Sequence, residues 1–191
     1  MKSFFSHILI AFIFCFLFLA PQSRAQEKID PNISDILITT SKTHLLLFCT
    51  IKNSFTPEMM EGIRSGIPIT FTFLVELEKI KKNWPDHSLV ELTIQHTLSY
   101  DALKEEYQIL IPERNNKTVT TRSIDKAQEL MTEVSGVKII KRSDLIPDAP
   151  YALHVKAKLA EKTLPMNMHY IVPFISLWDF ETDWRTIEFR Y

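Results

Sequence analysis

Two hydrophobic periods organise this chain. From Ile67 to Glu78 the odd positions are apolar (Ile67, Ile69, Phe71, Phe73, Val75, Leu77), and the even ones include Thr70, Thr72, Glu76 and Glu78. A repeat of two sustained this long predicts a strand with one buried face. After the short loop sequence KNWPDH the alternation resumes in the opposite phase, with Leu92, Ile94, His96, Leu98 and Tyr100 inward. Two such runs across an Asn/Pro/Asp loop predict an antiparallel hairpin. A third run beyond Asp101, with Tyr107, Ile109 and Ile111 on one side, extends it to a meander with one wet face.

Flanking segments repeat the pattern. DILITT and HLLLFCTIK read as two earlier strands, the second apolar on both faces and therefore central. YALHVKAKL turns Tyr151, Leu153, Val155, Ala157 and Leu159 inward, and the closing TIEFRY does the same with Ile187, Phe189 and Tyr191. The helical period appears twice. Pro57 to Ser65 carries Met59, Met60 and Ile63 on one stripe, with Thr56 as cap, Pro57 in the first turn and Phe55 placed to staple onto Met60. Ile124 to Ser135 carries Ile124, Ala127, Leu130, Met131 and Val134, with Ser123 as cap and Gly136 as terminator. Two short helices cannot cover both faces of so many strands. The predicted fold is therefore mainly β: an antiparallel β-sandwich, Ig-like or a half-open barrel, with two short helices as lids.

The glycines are placed for architecture. The chain has three, and Gly62 and Gly66 fall within five residues. Gly66 suits the left-handed position just past a helix, and Pro68 then prevents the helix from continuing. Gly62 shares the side of Met59 and Ile63, where a missing side chain lets the helix sit close to the sheet. Gly62, Gly66 and Pro68 are thus read as structural residues.

The N-terminus changes what counts as the folded protein. Lys2 is followed by a continuous apolar run from Ile8 to Ala20, then Pro21, then Ser23-Arg24-Ala25 with small residues flanking the arginine. This is the three-part pattern of a secretory signal. It predicts a signal peptide over residues 1–25 and a single β-rich domain over 26–191. The alternative is an uncleaved signal that anchors the chain in the inner membrane. Removing Lys2 and Arg24 from the 22 basic residues leaves 20 against 23 acidic ones, a net of −3. That balance offers no field for nucleic acid. Cys15 leaves with the signal, so Cys49 is alone in an apolar setting and reads as a buried small hydrophobe.

No compact catalytic motif is present: no G-x-S-x-G, H-E-x-x-H, phosphate loop, dinucleotide fingerprint or C-x-x-C. The expectation is a non-enzymatic chain without a cofactor. Three candidate sites remain. The hairpin tip sets Lys79, Lys81 and Lys82 beside Trp84, a combination suited to a lipid headgroup or a partner protein. His96 on an inward phase is either a hydrogen-bonded core residue or a base paired with a carboxylate, the latter serving a ligand carrier or enzyme with an inter-sheet pocket. Met166, Met168 and His169 in PMNMH are soft ligands suited to copper(I), or methionines filling a gap in the core. Trp178 and Trp184 read as anchors of the C-terminal segment.

The junction MEGIRSGIPITFTFLVEL, the tip ending in Trp84, LSYDALKEEYQI, SIDKAQELM, YALHVKAKL, Leu164-Pro165 and LWDFETDW occur in this order and spacing. In these segments the chain resembles the exported bacterial domain-of-unknown-function family DUF4390. Met166 to His169 departs from the more Pro/Leu-rich sequence the resemblance leads one to expect. The resemblance implies a periplasmic protein of a Gram-negative envelope, with genes often near a membrane sensor kinase, and transfers no catalytic residue. The reading that follows is an envelope interaction module. Its expected partner is an envelope or inner-membrane protein, with peripheral contact to the membrane surface as a further expectation.

Overall fold

A computed structural model of the chain describes residues 30–81, 87–160 and 180–191. Strands β1 (Asn32–Thr40), β2 (His44–Lys52) and β7 (Glu133–Lys141) form a three-stranded sheet in the order β1-β2-β7. The larger sheet joins β3 (Ile69–Lys79), β4 (His87–Asp101), β5 (Glu106–Ile111), β6 (Lys117–Thr121), β8 (Pro150–Leu159) and β9 (Arg185–Arg190) in the order β6-β5-β4-β3-β8-β9. Every neighbouring pair is antiparallel. Both sheets end in edge strands, so the architecture is an open β-sandwich and not a closed barrel. Two α-helices, α1 (Pro57–Arg64) and α2 (Ile124–Thr132), and two short 3₁₀ turns, Pro112–Arg114 and Arg142–Asp144, complete the described elements. No helix among the described residues is long and apolar enough to cross a membrane.

The period-two alternation lands as predicted. Ile69, Phe71, Phe73, Val75 and Leu77 are buried along β3, and β8 buries Tyr151, Leu153, Val155 and Ala157 beside them. Each fully buried side chain of this size is worth about 1.5–3 kcal/mol relative to exposure, so this strand pair dominates the core. β2, apolar on both faces, is the central strand of the small sheet and presents Leu45, Leu47, Cys49 and Ile51 inward.

α1 is closed at both ends by its own sequence. The Thr56 hydroxyl accepts from the Met59 N–H at 3.0 Å, and Pro57 fills the first helical position. At the exit the Ile67 N–H donates to the Gly62 carbonyl at 3.0 Å and the Gly66 N–H to that of Ile63 at 2.9 Å. Gly66 adopts φ +87° between them. This is the paired Schellman closure that favours glycine, and exposed Pro68 then leads into β3. Gly62 is buried with Met59 and Ile63, as the stripe requires.

Three expectations are corrected. α2, capped by the Ser123 hydroxyl, stops at Thr132 and not at Ser135. The backbone at Glu133 and Val134 pairs instead with Thr50 and Cys49 of β2, so Val134 is buried from a strand. Gly136 does not end the helix. It is the extra residue of a β-bulge, at φ +73°, where Ser135 faces Phe48 and Val137 faces Leu47. The helical stripe and the strand alternation share Val134, and the longer ladder decides its conformation. β6 escaped the pattern because Lys117–Thr121 offers one apolar side chain, Val119. Finally, Trp184 is 40 % exposed, with the Lys156 ammonium 5.7 Å from its ring centroid, and does not anchor the C-terminal segment. Phe180 does so: it is buried, edge-on to Phe71 at 4.8 Å between ring centroids. Trp178 lies outside the described residues.

Candidate functional site

The hairpin tip is described only in part. Lys79 ends β3 half-buried and Lys81 is exposed, whereas Lys82 and Trp84 lie outside the described residues. Met166, Met168 and His169 lie outside them too. Among the described residues no group of three His, Cys, Asp or Glu side chains gathers as a metal site.

His96 is where the sandwich concentrates polar chemistry. The inward phase of β4 carries its ring into the core, fully buried, with the Phe73 ring centroid 5.0 Å away. Nδ1 lies 3.0 Å from the Met131 carbonyl oxygen at the end of α2, and Nε2 lies 2.7 Å from Glu113 Oε1. The carbonyl only accepts, so Nδ1 carries a hydrogen. A bare Nε2 facing a bare carboxylate oxygen at 2.7 Å would set lone pair against lone pair. One proton therefore lies between them, as imidazolium–carboxylate or as imidazole–carboxylic acid, and both ring nitrogens are committed in either form.

Glu113 reaches this position through a local turn. β5 ends at Ile111, and Pro112 opens a 3₁₀ turn, Pro112–Arg114, that closes at Asn115 with φ +61°. The turn keeps Glu113 on the inward phase that Tyr107, Ile109 and Ile111 set, and its side chain is 8 % exposed. The second carboxylate oxygen, Oε2, is buried and has no hydrogen-bond partner. A buried carboxylate oxygen without a donor is costly and calls for an explanation. Glu113 is felt at β2: burial, and after it the Glu113 carboxyl group, push the Cys49 thiol up to about 12. Cys49 is thus a neutral buried thiol and not a nucleophile.

Glu113 also lines an open cavity of about 660 Å³. The other walls are Leu92 to Gln95 of β4 and Gly136 to Lys138 of β7. Consecutive side chains of a strand point to opposite faces, so a hollow touched by four residues in a row touches the strand's edge. Among the described residues, both edges lack a neighbour here. β3 pairs with β4 from His87 to Leu98, but β5 pairs with it only from Thr97 to Asp101. β7 pairs with β2 alone among the described residues. Among the described residues the cavity is therefore a seam between two unpaired strand edges, with the buried Glu113 among its lining residues. A smaller hollow of about 460 Å³ marks the opposite seam, between Ile33–Ile36 of β1 and Trp184 with Arg185–Ile187 of β9. The described residues place no buried, unpartnered side-chain atom among its walls.

Sequence reasoning singled out His96 and missed Glu113. The signal was available in the phase: Tyr107, Ile109 and Ile111 continue to Glu113 if the count is carried past Pro112.

The family model described as domain of unknown function DUF4390 matches residues 30–188, and the chain belongs to that family. The match spans the β-sandwich from before β1 into β9. No curated protein and no solved structure gives a significant match.

Proposed function

We propose that this DUF4390 protein is an exported, periplasmic, non-enzymatic binding module of the bacterial envelope, and that its ligand enters the seam between β4 and β7. The observation that carries the reading is the open cavity of about 660 Å³ against Glu113, a volume within the range of about 300–1,000 Å³ typical of ligand sites. Export rests on the segment from Lys2 to Ala25. The non-enzymatic reading draws support from the commitments of the polar groups. His96 is fully buried with both nitrogens engaged, and the Cys49 thiol is held neutral. Neither stands ready to exchange a proton or attack a substrate.

The test places a photo-reactive residue at Gln95 or Lys138, both exposed on the cavity walls, with exposed Glu188 on β9 as control. Irradiation of intact cells should yield adducts from the first two positions and not from the third. Equal labelling at all three, or none, refutes the seam as the binding site. Fractionation and N-terminal sequencing check the address: the mature chain should be periplasmic and begin at Gln26.

A further inference from the structure

The seam carries a finer inference about what it binds, which rests on the reading above. Its walls differ in quality as templates. β7 is interrupted, with register shifts against β2 on both sides of the Leu46–Leu47 pairing, one of them at the Gly136 bulge. A bulged edge twists away from regular pairing. β4 carries one shift against β3, between the Leu77–Val90 and Glu78–Ser88 pairings, and beyond it the register runs unbroken from Val90 to Leu98. From His87 to His96 its second edge has no strand beside it among the described residues, because Pro112 diverts the chain just after β5. A regular, unpaired edge presents a row of backbone donors and acceptors, and proteins cover such rows or use them.

The floor adds a chemical preference. Glu113 Oε1 is tied to His96, while Oε2 is buried without a donor. The other charged wall residue, Lys138, is exposed and therefore screened by water. A guest that brings a hydrogen-bond donor within reach of Oε2 completes the carboxylate, whereas a guest carboxylate brings only acceptors and leaves that oxygen unpaired.

We propose that an extended segment of a second envelope protein adds as a strand to the free edge of β4, roofed by β7, with a basic side chain placed at Glu113. Backbone pairing along β4 supplies affinity and the acid supplies selectivity, the division found in strand-addition complexes. A short segment suits the hollow, and a rigid globular surface does not reach its floor.

The test uses the mature chain and three probes: acetyl-Val-Thr-Val-Lys-Val-Thr-Val-amide, the same peptide with Glu for Lys, and the Lys peptide with Pro for the two central Val residues. Binding is followed by amide hydrogen exchange. The Lys peptide is expected to slow exchange between His87 and His96 and to bind about tenfold tighter than the Glu peptide, with the Pro peptide inactive. Glu113→Gln should erase the Lys/Glu preference while keeping edge protection. Should that variant fold poorly, Lys138→Glu at an exposed position serves instead, and is expected to widen the preference. Equal binding of Lys and Glu peptides, or no protection of β4, overturns the inference. If the photo-reactive Lys138 position then captures a small molecule, the seam remains a binding site for another ligand class. Capture of a second copy, or of the chain's own segment 161–179, overturns the inference in favour of self-occupancy. No photo-adduct and no peptide binding remove both readings.

Discussion

The large sheet holds two histidine–glutamate pairs in opposite surroundings. On its inner face His96 meets Glu113 at 2.7 Å, with side-chain exposures of 0 % and 8 %. On its outer face His154 of β8 lies 3.5 Å from Glu78 of β3, with exposures of 24 % and 29 %. His154 Nδ1 also lies 2.8 Å from the Thr186 hydroxyl of β9. Both histidines thus engage two partners, and what differs is access to water. On the outer face, either group that loses its partner is resolvated. On the inner face nothing replaces the partner, so the pair is held by the penalty for breaking it more than by its own net worth.

The comparison fails first, if it fails, at Glu113. Glu113→Ala should destabilise the fold by about 3–5 kcal/mol, since it leaves the His96 Nε2 buried without a partner. His96→Leu combined with Glu113→Leu should recover most of that loss, because apolar groups of similar volume need no partner. Urea unfolding midpoints at constant slope measure both. A single-variant loss no larger than that of Glu78→Ala would show that burial does not separate the two pairs.

Cys49 gives a second view of the inner acid. Its thiol is raised from its ordinary 9.0 to about 12 by burial and by Glu113. In the unfolded chain the thiol ionises near the ordinary value, while the folded chain resists. The stabilising contribution is therefore complete below pH 9 and is lost as pH rises towards 12, by at most about 1.4 kcal/mol per pH unit. Comparing urea unfolding of parent and Cys49→Ala between neutral and alkaline pH isolates this slope, which should vanish in the variant. A smaller effect separates backbone cost from desolvation. Gly66 sits at φ +87° with open space where a side chain would go. Gly66→Ala should cost about 1–2 kcal/mol from conformation alone. A thermal midpoint equal to the parent's would mean that the α1 exit relaxes.

How much of this was legible follows from which rule is local. The alternation of Phe71, Phe73, Val75 and Leu77 needs only its own strand, and α1's closure needs only Thr56 to Pro68, so both could be read directly. Glu133 to Val137 could not. Its conformation is set by pairing with β2, more than eighty residues away in sequence, and the local helical period gave the wrong end for α2. The seam is of the second kind. His96 stood out by phase, but among the described residues β4 keeps an unpaired edge because β5 is short and Pro112 turns the chain away. No stretch of residues records that absence. Phe180 replaced Trp184 as anchor for a similar reason: β9 is an edge strand, and the residue preceding it faces solvent.

The outer pair supplies the lower bound. Glu78→Ala should change stability by only about 0–1 kcal/mol, and the change should shrink further as salt is raised. Its neighbours explain why. Glu78 stands opposite Ala152 on β8 and Ser88 on β4, its side chain partly open to solvent, and His154 keeps the Thr186 hydroxyl when the carboxylate is gone. Thr186→Val should matter about as little alone, yet combined with Glu78→Ala it strips His154 of both partners. If that double variant costs more than the two single changes together, His154 is more desolvated than its exposure indicates, and the outer pair belongs nearer the inner one. If the losses simply add within about 0.5 kcal/mol, water is replacing each partner independently. The contrast with His96, where removing one partner should already cost several times more, would then rest on burial alone.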